Sequence, residues 1–377
     1  MTANNELIGR DEINDLEAIL SVSNTDVDAV IHTVGANIDA VFTWDYERSR
    51  PALGKLYEKA KTSQWNVTTD LDWSTPVDQE ALALNEMNRE DVRFFADTID
   101  LSGTPFAKWT EKEWVQLAIE GQNWTLSQFM HGEQGALLCT ARIVETVPWI
   151  DAKYYAATQV VDEARHVEVF ARYLDEKLGP QYGINENLKG ILDDILSDPR
   201  WDIAYLGMQI MVEGLALAAF GLMQQITTEP LLKKLLRYVM SDEARHVAFG
   251  VLSLQEFYKE LTDAEMRERQ EFAFDVARRL QRRFAHTEMW ARMGVDPDAI
   301  YRTMDKVNPP AQQIFQQLLF SKIVPNCKKL GLLDAADGWL RQRFTEIGVI
   351  QFEDWADTGE EYSALDEVER DRQASSA

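Results

Sequence analysis

Apolar residues return every three or four positions along most of this chain, the period of a helix with one buried face. From 78 to 100 the run DQEALALNEMNREDVRFFADTID keeps that period and predicts a helix starting just after Pro76. Thr110 and Glu113 have the spacing of a capping box. A long helix is expected to begin there and run through EWVQLAIEGQNWTLSQFMHGEQGALLCTARIVET to a stop near Pro148. A second covers 151–178 and ends at Gly179-Pro180. A shorter one over 186–196 precedes SDPRWD, and a long pair, 201–227 and 230–260, is joined at TTEP. Thr262 with Glu265 suggests a further cap, opening a helix to about residue 292, and less regular helices follow DPDAI, NPPAQQ and LLDAADG. No run alternates with period two for long enough to demand a sheet.

The expected fold is all-α, with one large helical domain over residues 76–352. Residues 1–75 read as an N-terminal extension. Its Trp44, Trp65 and Trp73 stand among charged residues and are expected to pack on the bundle or on a partner subunit. Residues 353–377 read as an acidic, disordered tail.

Charge narrows the function classes. The net charge is −25. Residues 353–377 hold nine Asp or Glu against two Arg, and residues 1–80 hold fifteen acidic against six basic residues. Such a surface repels phosphate backbones and anionic lipid, which argues against nucleic-acid and membrane roles. No continuous apolar run approaches the roughly 18 to 20 residues of a membrane span. The N-terminus is acidic and has no secretory pattern. Cys139 and Cys327 are too few for a disulfide framework, so a reducing cytoplasm is the expected setting. ARRLQRRF places Arg278, Arg279, Arg282 and Arg283 at helical spacing, read either as a solvated face or as a docking strip for an acidic segment.

The chemistry lies in a repeat. VDEARHVEVF at 161–170 returns as SDEARHVAFG at 241–250, aligning Glu163 with Glu243 and His166 with His246. Glu133 lies as far before Glu163 as Glu213 lies before Glu243, and the midpoints fall at Pro148 and within TTEP. In an antiparallel hairpin, residues equidistant from the turn share a height, here roughly 22 Å from the turn at about 1.5 Å rise per residue. Glu and His three apart share one helix face. Two such hairpins would therefore place four carboxylates and two imidazoles in one layer of a four-helix bundle. Each buried anion costs several kcal/mol, and clustering adds repulsion, so the layer needs cations. Two divalent metals match the four negative charges, and the oxygen-rich donor set suits iron or manganese better than zinc. A Glu from each of two helices plus Glu-x-x-His from each of two others is the carboxylate-bridged dimetal arrangement.

On these residues, the stretch from about 110 to 260 resembles the ferritin-like di-iron carboxylate superfamily. Its doubled Asp-Glu-x-Arg-His is closest in motif to the hydroxylase subunit of bacterial multicomponent monooxygenases. Acyl-carrier-protein desaturases and the ribonucleotide reductase small subunit are similar at greater distance. The resemblance implies that Glu133, Glu163, His166, Glu213, Glu243 and His246 are the metal ligands. It further implies that Asp162, Arg165, Asp242 and Arg245 lie behind them, each Asp accepting the free ring N–H of a ligand His. It also implies that Glu213 or Glu243 shifts its binding mode as the metal changes oxidation state. His131, two residues before Glu133, points to another face and is expected to be structural, and His32 and His286 are not needed.

Fold and ligands alone do not choose among the functions of this superfamily. Phe170 stands where the reductase subunit usually has its radical tyrosine, which argues against a radical role. Ala216 and Leu217 stand where hydroxylases and desaturases often carry a Thr one turn after the third carboxylate, a departure from their pattern. Together with Phe170, Ala216 and Leu217, the residues Phe129, Ala136, Leu137, Val160, Val167, Phe220, Val239 and Gly250 lie one turn from the ligands and read either as tight bundle packing or as an apolar cavity with Gln209 as its lone polar group. The expectation is an oxygen-activating non-haem di-iron enzyme, with manganese or a mixed Mn/Fe pair as alternatives to two irons. It would hydroxylate, desaturate or N-oxygenate a small hydrophobic or aromatic substrate, using O2 and electrons from a separate reductase or ferredoxin. A homodimer is expected. The alternatives are a radical-generating small subunit and a ferroxidase or peroxide-defence protein.

Overall fold

The computed structural model describes residues 32–87, 102–179, 181–283, 285–307 and 317–358. One unit spans Ile38–Ala377. Its described residues are helical, with no strand among them.

The centre is two antiparallel hairpins. α3 (Glu111–Thr146) and α4 (Ile150–Lys177) form the first, and α6 (Trp201–Ile226) and α7 (Pro230–Phe257) the second. Around them lie α1 (Pro51–Thr62), α2 (Gln79–Met87), α5 (Glu186–Ser197) and α8 (Asp263–Arg283). Then come α9 (Thr287–Arg292), α10 (Pro297–Val307), α11 (Ile323–Lys329) and α12 (Ala335–Glu346).

Local chemistry fixes the turns. α3 opens where the Thr110 N–H donates to the Glu113 carboxylate at 2.7 Å. In the second hairpin, Pro230 occupies the first turn of α7, and buried Glu229 accepts from the N–H groups of Leu231 and Leu232. The Tyr173 hydroxyl donates to Glu229 at 2.8 Å, so the first hairpin holds the turn of the second.

α6 is irregular in a way its sequence does not announce. Tyr205–Val212 is a π-helix, and the Glu213 N–H donates to the Met208 carbonyl. Regular α-helix resumes from Glu213, so the count from there to the turn keeps its ordinary rise. By length and composition α6 is apolar enough to cross a bilayer, but most of it is buried within the protein. Asp202, Gln209 and Glu213 interrupt its apolar run, and it has the character of a core helix.

One further expectation meets a different structure. The helix expected to reach residue 292 ends at Arg283, because His286 adopts a left-handed φ of 51° and a new helix starts at Thr287. Trp124 and Asn185 then hold Glu288 at 2.9 and 2.8 Å, drawing α9 onto the bundle. The helix expected over 78–100 is observed as Gln79–Met87, and its remainder lies outside the described residues. So do most of the acidic tail and the region around NPPAQQ. Of the three N-terminal tryptophans, Trp65 is buried and Trp73 half-buried against the bundle, whereas Trp44 is 78% exposed and stacks on Phe42.

Candidate metal centre

Glu133 on α3, Glu163 and His166 on α4, Glu213 on α6, and Glu243 and His246 on α7 come together in one buried layer. Donor atoms of Glu133, Glu163, His166 and Glu243 lie within 4.8 Å of one another. So do those of Glu163, Glu213 and His246. Glu163 belongs to both groups. His166 Nδ1 is 3.2 Å from Glu133 Oε2 and 2.9 Å from Glu243 Oε1, while His246 Nδ1 is 3.1 Å from Glu163 Oε1. Both Nδ1 atoms therefore face the carboxylates.

The far nitrogens point outward, and their partners are crossed. His166 Nε2 lies 3.2 Å from Asp242 Oδ2 on the other hairpin, and His246 Nε2 lies 3.3 Å from Asp162 Oδ2. Arg245, 1% exposed, donates to Asp242 and reaches Asp162 at 3.4 Å. Arg165 donates to Asp162 and lies 3.5 Å from Asp242. The N-terminal segment closes this network. The Trp65 indole N–H donates to Asp242 Oδ2 at 2.7 Å, and Gln64 donates to Asp162 at 3.4 Å.

Charge in the layer is unbalanced without ions. Burial, reinforced by the Glu243 charge, pushes Glu133 up to about 8. Burial and the Glu163 and Glu243 charges raise Glu213 well above the carboxylate range. Burial disfavours charged imidazoles, yet both histidines are held well above their ordinary value. Hydrogen bonds to Asp242 and the glutamates do this for His166, and the Glu163 and Glu243 charges do it for His246. Glu163 moves the other way: burial would raise it, but the His246 charge and hydrogen bonds from both imidazoles outweigh that. Apart from the imidazole nitrogens that face them, Glu163 Oε2, Glu213 Oε2 and both oxygens of Glu243 have no hydrogen-bond donor. Buried anionic oxygens without donors are costly, and four acids with two imidazoles are a donor set that divalent iron or manganese fits.

The spacing of Glu and His did not single out Gln159. Its amide donates to Glu163 Oε1 and to Glu213 Oε1, both at 2.9 Å, tying the two hairpins together inside the layer. The available signal was a polar residue one turn before Glu163, where the second repeat has Val239. Gln209, expected to face the cavity, instead has its side-chain amide against the carbonyls of Ala204 and Tyr205, to which it donates at 3.3 Å when its nitrogen is turned toward them. A π-helix displaces its carbonyls from the usual partners, and this amide satisfies two of them. Nor does Gly250 leave room, since a Cβ there would come 2.6 Å from the Gln209 Cβ.

A cavity of about 20 Å³ touches Glu133, Glu213 and Glu243. Phe129, Ala136 and Ala216 line it, together with Met208 of the π-helix and two polar residues, Gln128 and Arg283. His131 lies outside the layer, with Nε2 2.9 Å from the Tyr182 carbonyl.

The family model described as p-aminobenzoate N-oxygenase AurF matches residues 139–331, 193 of the chain's 377. The chain belongs to the AurF family. The match takes in both Glu-x-x-His repeats and Glu213, and begins just after Glu133. Membership identifies an oxygen-activating dimetal oxidoreductase of the ferritin-like di-iron carboxylate superfamily, with a metal pair as cofactor and O2 as co-substrate. Among solved structures, the chain is similar to a glycine-to-leucine mutant of an R2-like ligand-binding oxidase with an anaerobically reconstituted Mn/Fe cofactor. They share 20% identity with a TM-score of 0.47 over 79% of this chain and 98% of the other. A valine-to-leucine mutant of an R2-like ligand-binding oxidase gives 20% identity and 0.46 over 75% and 94%. No curated protein matches the sequence.

Proposed function

We propose that Glu133, Glu163, His166, Glu213, Glu243 and His246 hold two metal ions, and that the loaded AurF-family site N-oxygenates a small aromatic amine. The observation that carries this reading is the pair of donor groups sharing Glu163, set against a cavity with largely apolar walls. When bound, the metals supply the activation of O2. The protein's part is to hold the donors, keep water out and orient the substrate. Arylamine, O2, two electrons and two protons give an arylhydroxylamine and water. Among the described residues there is no cysteine cluster to deliver electrons, and both cysteines are buried singly, which supports a separate electron-transfer protein. Asp162 and Asp242 fix the ring orientation of the opposite histidine, and Arg165 and Arg245 pair with those aspartates.

The test combines metal analysis with product analysis. Protein reconstituted with Fe(II) or with Mn(II) and Fe(II), given O2, a chemical reductant and p-aminobenzoate or aniline, should yield N-oxygenated product. Glu163→Ala should lose both metal and product, because it removes a donor common to both groups. His131→Ala should retain both. Full metal occupancy in Glu163→Ala would overturn the ligand assignment, and a loaded enzyme that oxidises neither amine would overturn the reaction.

A further inference from the structure

The two glutamates of the repeat are arranged almost symmetrically. Glu163 turns Oε1 to His246 Nδ1 at 3.1 Å and Oε2 to His166 Nδ1 at 3.4 Å. Glu243 does the reverse, with Oε1 2.9 Å from His166 Nδ1 and Oε2 3.4 Å from His246 Nδ1. Each therefore offers one oxygen to either side of the layer. Glu133 adds a donor on the His166 side, and Glu213 adds one on the His246 side.

Gln159 breaks that symmetry. It stands four residues before Glu163, where the second repeat has Val239 four residues before Glu243, and both side chains are fully buried. The Gln159 amide gives both of its hydrogen bonds to the His246 side, to Glu163 Oε1 and Glu213 Oε1, each at 2.9 Å. Val239 has no donor to give to the His166 side. The sides also differ in how many donors converge. Four donor atoms lie within 4.8 Å of one another around His166, against three around His246.

An N–H bonded to a carboxylate oxygen occupies a lone pair and brings partial positive charge to the place a cation would take. The bond favours the free carboxylate, so it makes the group a poorer base and a poorer metal donor alike. A glutamine that merely satisfied buried acids would change the affinity of the layer as a whole. One placed wholly on one side changes the difference between the sides.

We propose that Gln159 is a positioning residue that makes the two ion positions unequal, the first divalent ion settling beside His166 and the second, beside His246, being held more weakly. The proposal rests on the ligand assignment made above. Adjacent cations repel, so any such layer fills in two unequal steps. Gln159 decides which side is the weaker and widens the gap. The layer then carries one ion when metal is scarce and its pair only when metal is plentiful.

The test is titration of the metal-free protein with Mn(II) alone, without oxygen, at mildly alkaline pH, where protons compete least. Free Mn(II) is followed by its electron paramagnetic resonance. The native protein should show a tight and a weak step. His246→Ala should lose the weak step and keep the tight one, and His166→Ala should lose the tight one. Gln159→Val installs the residue of the second repeat. It should strengthen the weak step about 10-fold, the scale of a hydrogen bond to a charged group, and leave the tight step unchanged. Val239→Gln puts an amide on the other side and should weaken the tight step. The proposal is overturned if Gln159→Val leaves the ratio of the two steps unchanged or shifts both alike, or if His246→Ala removes the tight step. Should Gln159→Val fail to fold, Gln159→Leu decides by the same ratio. Histidine variants that alter neither step would overturn the ligand assignment and this proposal with it. Unequal steps that respond to Gln159, in an enzyme that oxidises no arylamine, would remove the proposed reaction and leave the asymmetry standing.

Discussion

Arg245 lies between Asp242, to which it donates, and Asp162 at 3.4 Å, and burial of the three groups is nearly complete. Arg245→Met would leave two enclosed carboxylates short of a cation. The expected cost is about 3–5 kcal/mol, the usual effect of removing one partner of a buried ionic pair. Denaturant unfolding of the metal-free protein checks this, and an unchanged midpoint would show that Arg165 compensates alone. The six acids and imidazoles of the layer could be found in the sequence because their chemistry is incompatible with an ordinary core, so their spacing had to mean something. Gln159 and Arg283 could not. A glutamine costs little on either face of a helix, and an arginine at helical spacing with three others reads as surface until the neighbouring helices are in place.

Helices were legible where capping and periodicity agreed, as in α3, α4 and α7, and less so where a tertiary contact decided. The left-handed residue His286 is of the second kind, and so is the π segment of α6. Its composition is that of any buried helix, and the amide that faces its free carbonyls comes from Gln209, one turn before Glu213, a position the sequence assigned to the cavity. α6 and α7 approach so closely there that a Cβ on Gly250 would lie 2.6 Å from Gln209 and 3.2 Å from Ile210. Helix propensity alone would make Gly250→Ala stabilising by about 1 kcal/mol. The contact opposes that gain, and a net loss of up to about 2 kcal/mol is expected from overpacking less the propensity term. A thermal melt decides it, and a raised midpoint would show that the π segment can shift to make room.

For the molecule as a whole, the proposed ligand assignment means that metal and protons compete for the same layer. Both histidines are held above their ordinary range, Glu133 is pushed up to about 8, and Glu213 is raised as well. At neutral pH the metal-free layer therefore carries protons that a divalent ion must displace. Loading with Mn(II) at pH 7 should release protons and raise the melting temperature. Titration heats should accordingly vary with the ionisation enthalpy of the buffer, and equal heats in all buffers would contradict the displacement. The duplicated hairpins were visible as a shift in the sequence, but the partners each would choose were not. Because Asp162 serves His246 and Asp242 serves His166, neither hairpin can orient its own imidazole. One hairpin on its own would lack the acceptor for its ring N–H, so steadying either imidazole takes both halves of the molecule at once.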